Sequence, residues 1–335
     1  MLRLPMTLSS SRLVLPFLLI AGLFLSGCGD DETPQRAVAP QPATLILDFT
    51  PNAVHAGTYL ATARGYDRDE GVRLAVRVPS GGADAIKLLR TGRADFAYMD
   101  IHDLALADAK APGELTAVMA LVQQPLAAVL AAPGVSRPRD LEGKRAGVSG
   151  LPSDVAVLRS IVAGDGGDPD RVKLVTIGFQ AVAAVMAGRV AAATGFWNVE
   201  GLALREKRPA TREFRVDGFG APAYPELVLV TRPQTLKSRP QLVRATIAAL
   251  RLGYEAAIDD MDSAVEALTG GAGGVDAETA RKELEAVAPA FTAAGGRFGE
   301  LDPPRLREWA AWEQRFGIVK RKPDTARLFA TEFAR

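Results

Sequence analysis

The chain has 335 residues, a formal net charge of +1, nearly half hydrophobic residues, one cysteine and two histidines. That length and apolar content are ample for a buried core in one large or two medium domains. Balanced charge, with no Lys/Arg run interleaved with aromatics, excludes an electrostatic nucleic-acid footprint; one cysteine excludes a disulfide framework and, with so few histidines, a Cys/His zinc pattern.

At the amino terminus, Arg3 and Arg12 precede an apolar run over residues 13–25. The run is too short and wrongly flanked for a membrane span and has the layout of a secretory signal. It stops at Leu25-Ser26-Gly27-Cys28, which resembles the bacterial lipobox, where the cysteine is lipidated and becomes the new amino terminus. The resemblance implies a signal peptide over residues 1–27 and a protein anchored through Cys28 outside the cytoplasmic membrane, in the periplasm or at the cell surface. Residues 28–42, acidic and then rich in Pro, Ala and Gln, read as a flexible tether.

Residues 44–49 predict a first strand, followed by a loop into a helix over 56–63 that Gly65 stops. Alternation over 72–78 predicts a half-exposed strand. A helix opens at 80–84 and closes at Gly92, a strand spans 95–99, and Asp100 is placed to cap the next helix with Asp103 in its first turn. Residues 115–121 and 127–132 are apolar strands, 133–138 break the chain, and 145–148 form a further strand. The small-residue loop 149–154 then enters a helix over 155–163. That loop has two readings, an anion-favouring helix start or plain capping; it lacks the Gly-Lys-Ser/Thr of a phosphate loop. A strand at 172–177, a helix at 180–187 and a buried strand beginning at Leu227 follow. From Pro240 the chain turns helical, over 242–258, 276–287 and 304–316. Trp309 and Trp312 share one helical face and read as packing residues.

Two stretches share a plan. From Gly188 to Gly201, a helix-closing glycine leads to a small-residue strand over 190–194 and then to Phe196, Trp197, Asn198 and Glu200. From Gly92 to Asp100, a glycine leads to a strand ending in Tyr98 and Asp100. The pattern predicts an α/β fold with two similar lobes whose strand ends face one cleft.

Several segments together resemble the substrate-binding proteins of the NMT1/THI5-like family, of the type that binds thiamine-precursor pyrimidines. They are Asp48-Phe49-Thr50-Pro51-Asn52-Ala53-Val54-His55-Ala56-Gly57, Arg64-Gly65-Tyr66, Glu70-Gly71-Val72, Gly92-Arg93-Ala94-Asp95, Asp140-Leu141-Glu142-Gly143-Lys144, Phe196-Trp197-Asn198-Val199-Glu200-Gly201 and Tyr224-Pro225-Glu226-Leu227-Val228-Leu229. The resemblance implies a two-lobed periplasmic-binding-protein type II fold, two Rossmann-like lobes joined by two hinge strands. Lobe 1 would hold residues 43–131 and 230–335, lobe 2 residues 132–229, with hinge strands at 127–132 and 227–231. It further implies an extracytoplasmic solute-binding lipoprotein that hands a hydroxymethylpyrimidine or formylaminopyrimidine to an ABC permease and its ATPase. The rival readings are a same-fold protein for a riboflavin-type heterocycle, a sulfonate, or a nitrate- or taurine-like anion. A secreted enzyme is a further reading, but no nucleophile elbow, zinc motif or paired-acid arrangement stands out.

A flat aminopyrimidine needs stacking faces, a carboxylate for its amino group or protonated ring, and neutral donors and acceptors. The residues expected to supply them are Phe49, Trp197 and Tyr224 for stacking and Glu200 as the carboxylate. Asn52, His55, Tyr98 and Asp100 would line the lobe 1 side, and Asn198 the lobe 2 side. Each polar residue has a structural alternative: Glu200 suits a helix's first turn, Asp100 and Asn198 suit caps, and His55 suits capping or packing. No catalytic residue, metal ligand or cofactor is expected. The family often has tryptophan where this chain has Phe49. Its eukaryotic pyrimidine synthases use a lysine-bound pyridoxal phosphate, a histidine and a cysteine-rich segment. Here no cysteine follows the last lobe 2 strand and Tyr98-Met99-Asp100 has no lysine, while His102 lies near that histidine position.

Overall fold

The computed structural model describes residues 39–80, 84–293 and 296–334. The expected signal peptide, most of the tether and Cys28 lie outside the described residues. The last tether residues belong to structure, because Gln41 and Pro42 already pair with Val72 and Arg73.

Ten strands form two five-stranded sheets. The first contains β1 (Gln41–Ile46), β2 (Val72–Arg77), β3 (Phe96–Asp100), β4 (Thr116–Val122) and β10 (Leu227–Thr231), in the order β2-β1-β3-β10-β4. The second contains β5 (Ala127–Ala131), β6 (Arg145–Val148), β7 (Lys173–Thr176), β8 (Ala192–Phe196) and β9 (Arg212–Arg215), in the order β7-β6-β8-β5-β9. In each sheet four strands run in one direction and one strand, β10 or β5, runs antiparallel to both neighbours. The direction follows from the route. The parallel strands run toward the other lobe, and a strand arriving from that lobe must run away from it.

This pairing redraws the expected lobe boundaries. Residues 127–131, expected in lobe 1, pair with β8 and β9 in the second sheet. Residues 227–229, expected in lobe 2, pair with β3 and β4 in the first. The chain therefore changes lobes in the short segments before these strands, at 123–126 and near 220–226. The apolar strands flagged as hinges are ladder-bound and fully buried, which fixes them in their sheets. Strand β9 was not anticipated: Arg-Glu-Phe-Arg at a sheet edge carries no apolar alternation.

The carboxyl-terminal helices brace the first lobe. The helix Pro240–Asp259 packs on the helix Ala56–Ala63 at close range, because a Cβ on Gly253 would meet the Gly57 carbonyl oxygen at 2.2 Å. The next residue, Tyr254, donates its hydroxyl to Val54 O at 2.7 Å and holds the loop 48–55 against the lobe. Trp309 and Trp312 on the helix Pro303–Arg315 are buried, as expected of packing residues. Among the described residues, no helix is long and apolar enough to cross a membrane.

Candidate functional site

The carboxyl ends of β1, β3, β6, β7 and β8 converge on a cleft between the sheets with a cavity volume of about 100 Å³, partly open to solvent. That position is the one ligand sites take in open α/β folds. The first lobe contributes Asp48, Phe49 and Asn52 from the loop after β1, and Ile86 from the helix Asp84–Arg90. It also contributes Tyr98, Met99 and Asp100 from β3, and Asp103 from the helix Ile101–Lys110. The second lobe contributes Ser149, Leu151, Ser153 and Asp154 after β6, and Phe179 after β7. Thr194 and Phe196 come from β8, and Glu200 opens the helix Glu200–Lys207. Phe49 and Phe179 meet edge to face from opposite lobes, with ring centroids 4.3 Å apart at 71°.

The lining is one-signed. Asp48, Asp100, Asp103, Asp154 and Glu200 face the cleft, and no Lys, Arg or His is among the lining residues. Burial raises the Glu200 and Asp154 carboxyls above the usual range. Burial, then the charge of Asp154 across the cleft, pushes Asp103 up to about 6. Local donors keep these acids ordered. Ser149 N donates to Asp154 Oδ2 at 2.6 Å, Phe196 N to Glu200 Oε2 at 3.0 Å, and His102 N to Asp100 Oδ1 at 2.7 Å. Such a site favours amino groups and protonated rings and repels anions.

Behind the floor lies a buried polar network at the lobe junction. Glu226, on the returning segment, accepts the amide hydrogens of Leu126 and Ala127 on the outgoing one. His102 bonds the Tyr224 hydroxyl through Nε2 at 3.0 Å and pairs with Glu313 through Nδ1. Burial alone would lower the His102 imidazolium, yet Glu313, Asp100 and Asp103 together push it up to about 9. Asp100, His102 and Glu226 each place an atom within 4.8 Å of the others, a spacing a metal ion could use. Both His102 nitrogens and one oxygen of each acid are already engaged, so the cluster is built as a hydrogen-bond network.

Residues 52–264 match the family described as NMT1/THI5 like. A formylaminopyrimidine-binding protein of Halalkalibacterium halodurans is 31% identical over 254 residues, covering 75% of this chain and 76% of that protein. The chain belongs to the NMT1/THI5-like family. A 4-amino-5-hydroxymethyl-2-methylpyrimidine phosphate synthase of Legionella pneumophila is 26% identical, covering 67% of this chain and 72% of that protein. The alkanesulfonate-binding protein SsuA of Xanthomonas axonopodis pv. citri, solved with MOPS bound, shares the fold. Its TM-score is 0.68 at 15% identity, over 89% of this chain and 99% of that one. The two-lobed periplasmic-binding-protein fold expected from the sequence is thus the fold of this NMT1/THI5-like chain.

Of the expected site residues in this family member, Phe49, Asn52, Tyr98, Asp100 and Glu200 line the cleft. Four do not. Trp197 was expected to stack on the ligand, but Phe196 ends β8 facing the cleft and the next residue turns away. The Trp197 indole donates to Pro125 O at 3.0 Å and lies 4.0 Å under the Arg215 guanidinium. Tyr224, also expected to stack, is fully buried against His102 and Trp312. His55 is fully buried behind the lining. Its Nδ1 accepts Asn52 N at 3.2 Å and its Nε2 donates to Asp48 Oδ1 at 2.8 Å, so it orients two lining residues. Asn198 is buried in the turn after β8, with neither side-chain atom bonded. The residues missed are Asp48, Asp103, Asp154 and Phe179. Phe179 lies three residues past the end of β7, in the loop that the strand-end rule marks. Asp103 was legible only as a first-turn helix acid, and Asp154 only as the last residue of a loop entering a helix.

Proposed function

We propose that this chain is the extracytoplasmic solute-binding component of an ABC importer, and that its ligand is a thiamine-precursor pyrimidine of the formylaminopyrimidine type. The observation that carries the reading is the cleft lining, in which five acidic side chains and the rings of Phe49, Phe179 and Phe196 surround the space without a cation. An aminopyrimidine offers a flat face to the rings and N–H donors or a protonated ring to the acids. Glu200 is the carboxylate best placed for this, since it opens a helix at the cleft wall with one oxygen held by Phe196 N. The printed function of the Halalkalibacterium halodurans relative supports the same ligand class.

A sulfonate or nitrate would meet only like charge here, so those readings lose support despite the fold they share. A synthase reading is less well served by these residues. The cleft lining offers no lysine for a Schiff base and no cation for a phosphate, and His102 is engaged behind the floor. In the proposed role the lobes close on the ligand by hinge motion and present it to a permease and ATPase. Cys28 carries the lipid anchor.

Titration calorimetry and thermal shift with formylaminopyrimidine, hydroxymethylpyrimidine and an alkanesulfonate test the ligand, because a bound ligand stabilises in proportion to RT ln(1 + [L]/Kd). The expected result is stabilisation by the pyrimidines alone. A shift with the sulfonate and none with either pyrimidine overturns the assignment. Mass spectrometry of the membrane fraction tests the anchor, and recovery of an unlipidated full-length chain would sink it.

A further inference from the structure

Glu226 stands outside the cleft, fully buried, on the segment that returns the chain to the first lobe. Its Oε2 accepts the amide hydrogens of Leu126 and Ala127, and its backbone oxygen accepts Ile101 N at 3.0 Å. Glu226 thus ties the returning segment to the outgoing one through its carboxylate, and to the residue next to Asp100 through its backbone oxygen. Its other oxygen, Oε1, is buried with no amide, amine or hydroxyl donor. The group beside it is the side chain of Asp100.

Two bare carboxylates are not stable side by side in a dry site, because their repulsion is undamped by water. One proton turns the pair into a donor and an acceptor. Its place follows from the bonds. Glu226 Oε2 already collects two amide hydrogens, which stabilise charge on Glu226. Asp100 Oδ1 is taken up capping the helix Ile101–Lys110. The second Asp100 oxygen is left to carry the hydrogen and donate it to Glu226 Oε1.

We propose that Glu226 is a positioning residue of the binding site, which through a shared proton holds Asp100 at the cleft floor as a neutral hydrogen-bonding group. Because Glu226 also ties the two interlobe segments together, the proton state of the floor is linked to the geometry of the hinge. Burial raises Asp100 well above the usual carboxylate range, the His102 charge opposing it and Glu226 adding to it; burial pushes Glu226 up to about 7 despite its two amide bonds. The titratable groups that face the pair are His102 and Asp103 on the helix Ile101–Lys110, Asp48 after β1, and the Tyr224 hydroxyl; Asp154 acts on Asp103 and Glu313 on His102, one step removed. His102 is spent on Glu313 and supplies no proton to the pair. Anionic recognition is then left to Glu200, Asp103, Asp154 and Asp48. That consequence rests on the pyrimidine reading; the shared proton does not.

The test uses the ligand-free full chain. Urea unfolding is measured from pH 5 to 8.5 for the wild type, Asp100→Asn and Glu226→Gln. A carboxyl protonated in the fold and ionised in the unfolded chain loses its stabilisation as pH rises through its folded value. Asn at position 100 donates the same hydrogen bond with no proton to lose. The wild-type unfolding constant should therefore rise about tenfold or more relative to Asp100→Asn over this range. Glu226→Gln should show the same flattening. Parallel curves for all three proteins overturn the proposal. Should a variant fail to fold, infrared spectra of the wild type with carboxyl-labelled aspartate decide the matter. A protonated-carboxyl C=O band at neutral pH supports the pair, and its absence overturns it. Formylaminopyrimidine is added last. If it fails to bind while the band persists, the ligand assignment falls and the shared proton stands.

Discussion

Strands β3 and β8 hold the same place in their sheets, third from the β2 or β7 edge, and each follows a glycine in the left-handed region, Gly92 (φ 71°) or Gly188 (φ 66°). They part at their carboxyl ends. In β3 the last residue is the acid, and Asp100 caps the next helix at once. In β8 the last residue is Phe196, a three-residue turn intervenes, and the acid Glu200 opens the helix and reaches back to Phe196 N. The turn has a structural job, since Trp197 N donates to Leu126 O at 3.0 Å and ties the second lobe to the outgoing segment. One plan therefore yields two kinds of wall. The β3 acid is locked into the floor and the hinge network, and the β8 acid is mounted on a helix start over the cleft.

The largest expected effect separates these acids. Glu200→Gln keeps an acceptor for Phe196 N but removes the charge, and should weaken formylaminopyrimidine binding about 100-fold, roughly 2–3 kcal/mol for a charge-assisted bond. Calorimetry reads this directly, and wild-type affinity would end the carboxylate role of the β8 unit. Next in size is a pH effect on the acid that follows β3. Asp103 titrates near 6 in the fold, raised by burial and by Asp154, against about 3.9 unfolded. Its contribution is full below about pH 4 and lost as pH rises through about 6, on the order of 2–3 kcal/mol. Asp103→Asn should remove that slope from urea-unfolding curves, and an unchanged slope would break the picture of acids opposed across the cleft.

The aromatic ends of the two strands sharpen the contrast further. Phe196→Ala should cost about tenfold in pyrimidine affinity, near 1.4 kcal/mol, through lost stacking area. Tyr98→Phe should lower stability by about 1 kcal/mol, because the Tyr98 hydroxyl shares a 2.6 Å bond with Thr58 in the core. The smallest effect concerns the residue that follows β8. Trp197→Phe loses the bond to Pro125 O and part of the Arg215 contact. It should cost roughly 1 kcal/mol of stability with affinity within about twofold. A loss of binding without a loss of stability would return Trp197 to the ligand.

Much of this molecule was legible along the chain. Apolar alternation and glycine stops located nearly all the strands, and the repeated Gly-Arg–strand–acid plan announced two lobes. Phe49, Asn52, Tyr98, Asp100 and Glu200 were found because ligands gather at strand ends, which a sequence marks. What sequence could not supply was direction. The strand β8 runs on two residues past Thr194, so Phe196 shares the face of Thr194 while Trp197, one residue on, takes the other. That alternation put Phe196 on the cleft in place of Trp197.

Composition, periodicity and local motifs determined the α/β class, the two-lobe plan, the packing role of Trp309 and Trp312, and the strand ends that form the site. Each of these depends on interactions within a few residues or on one repeating period, which a linear string records. Only the tertiary structure decided which sheet claims residues 127–131 and 227–231, and where the chain passes between lobes. It alone brought Asp103 to face Asp154, and Glu226 to rest on Leu126, Ala127 and Asp100. Those pairs join residues far apart in the chain, and their burial, charge and proton state arise only once the two lobes meet.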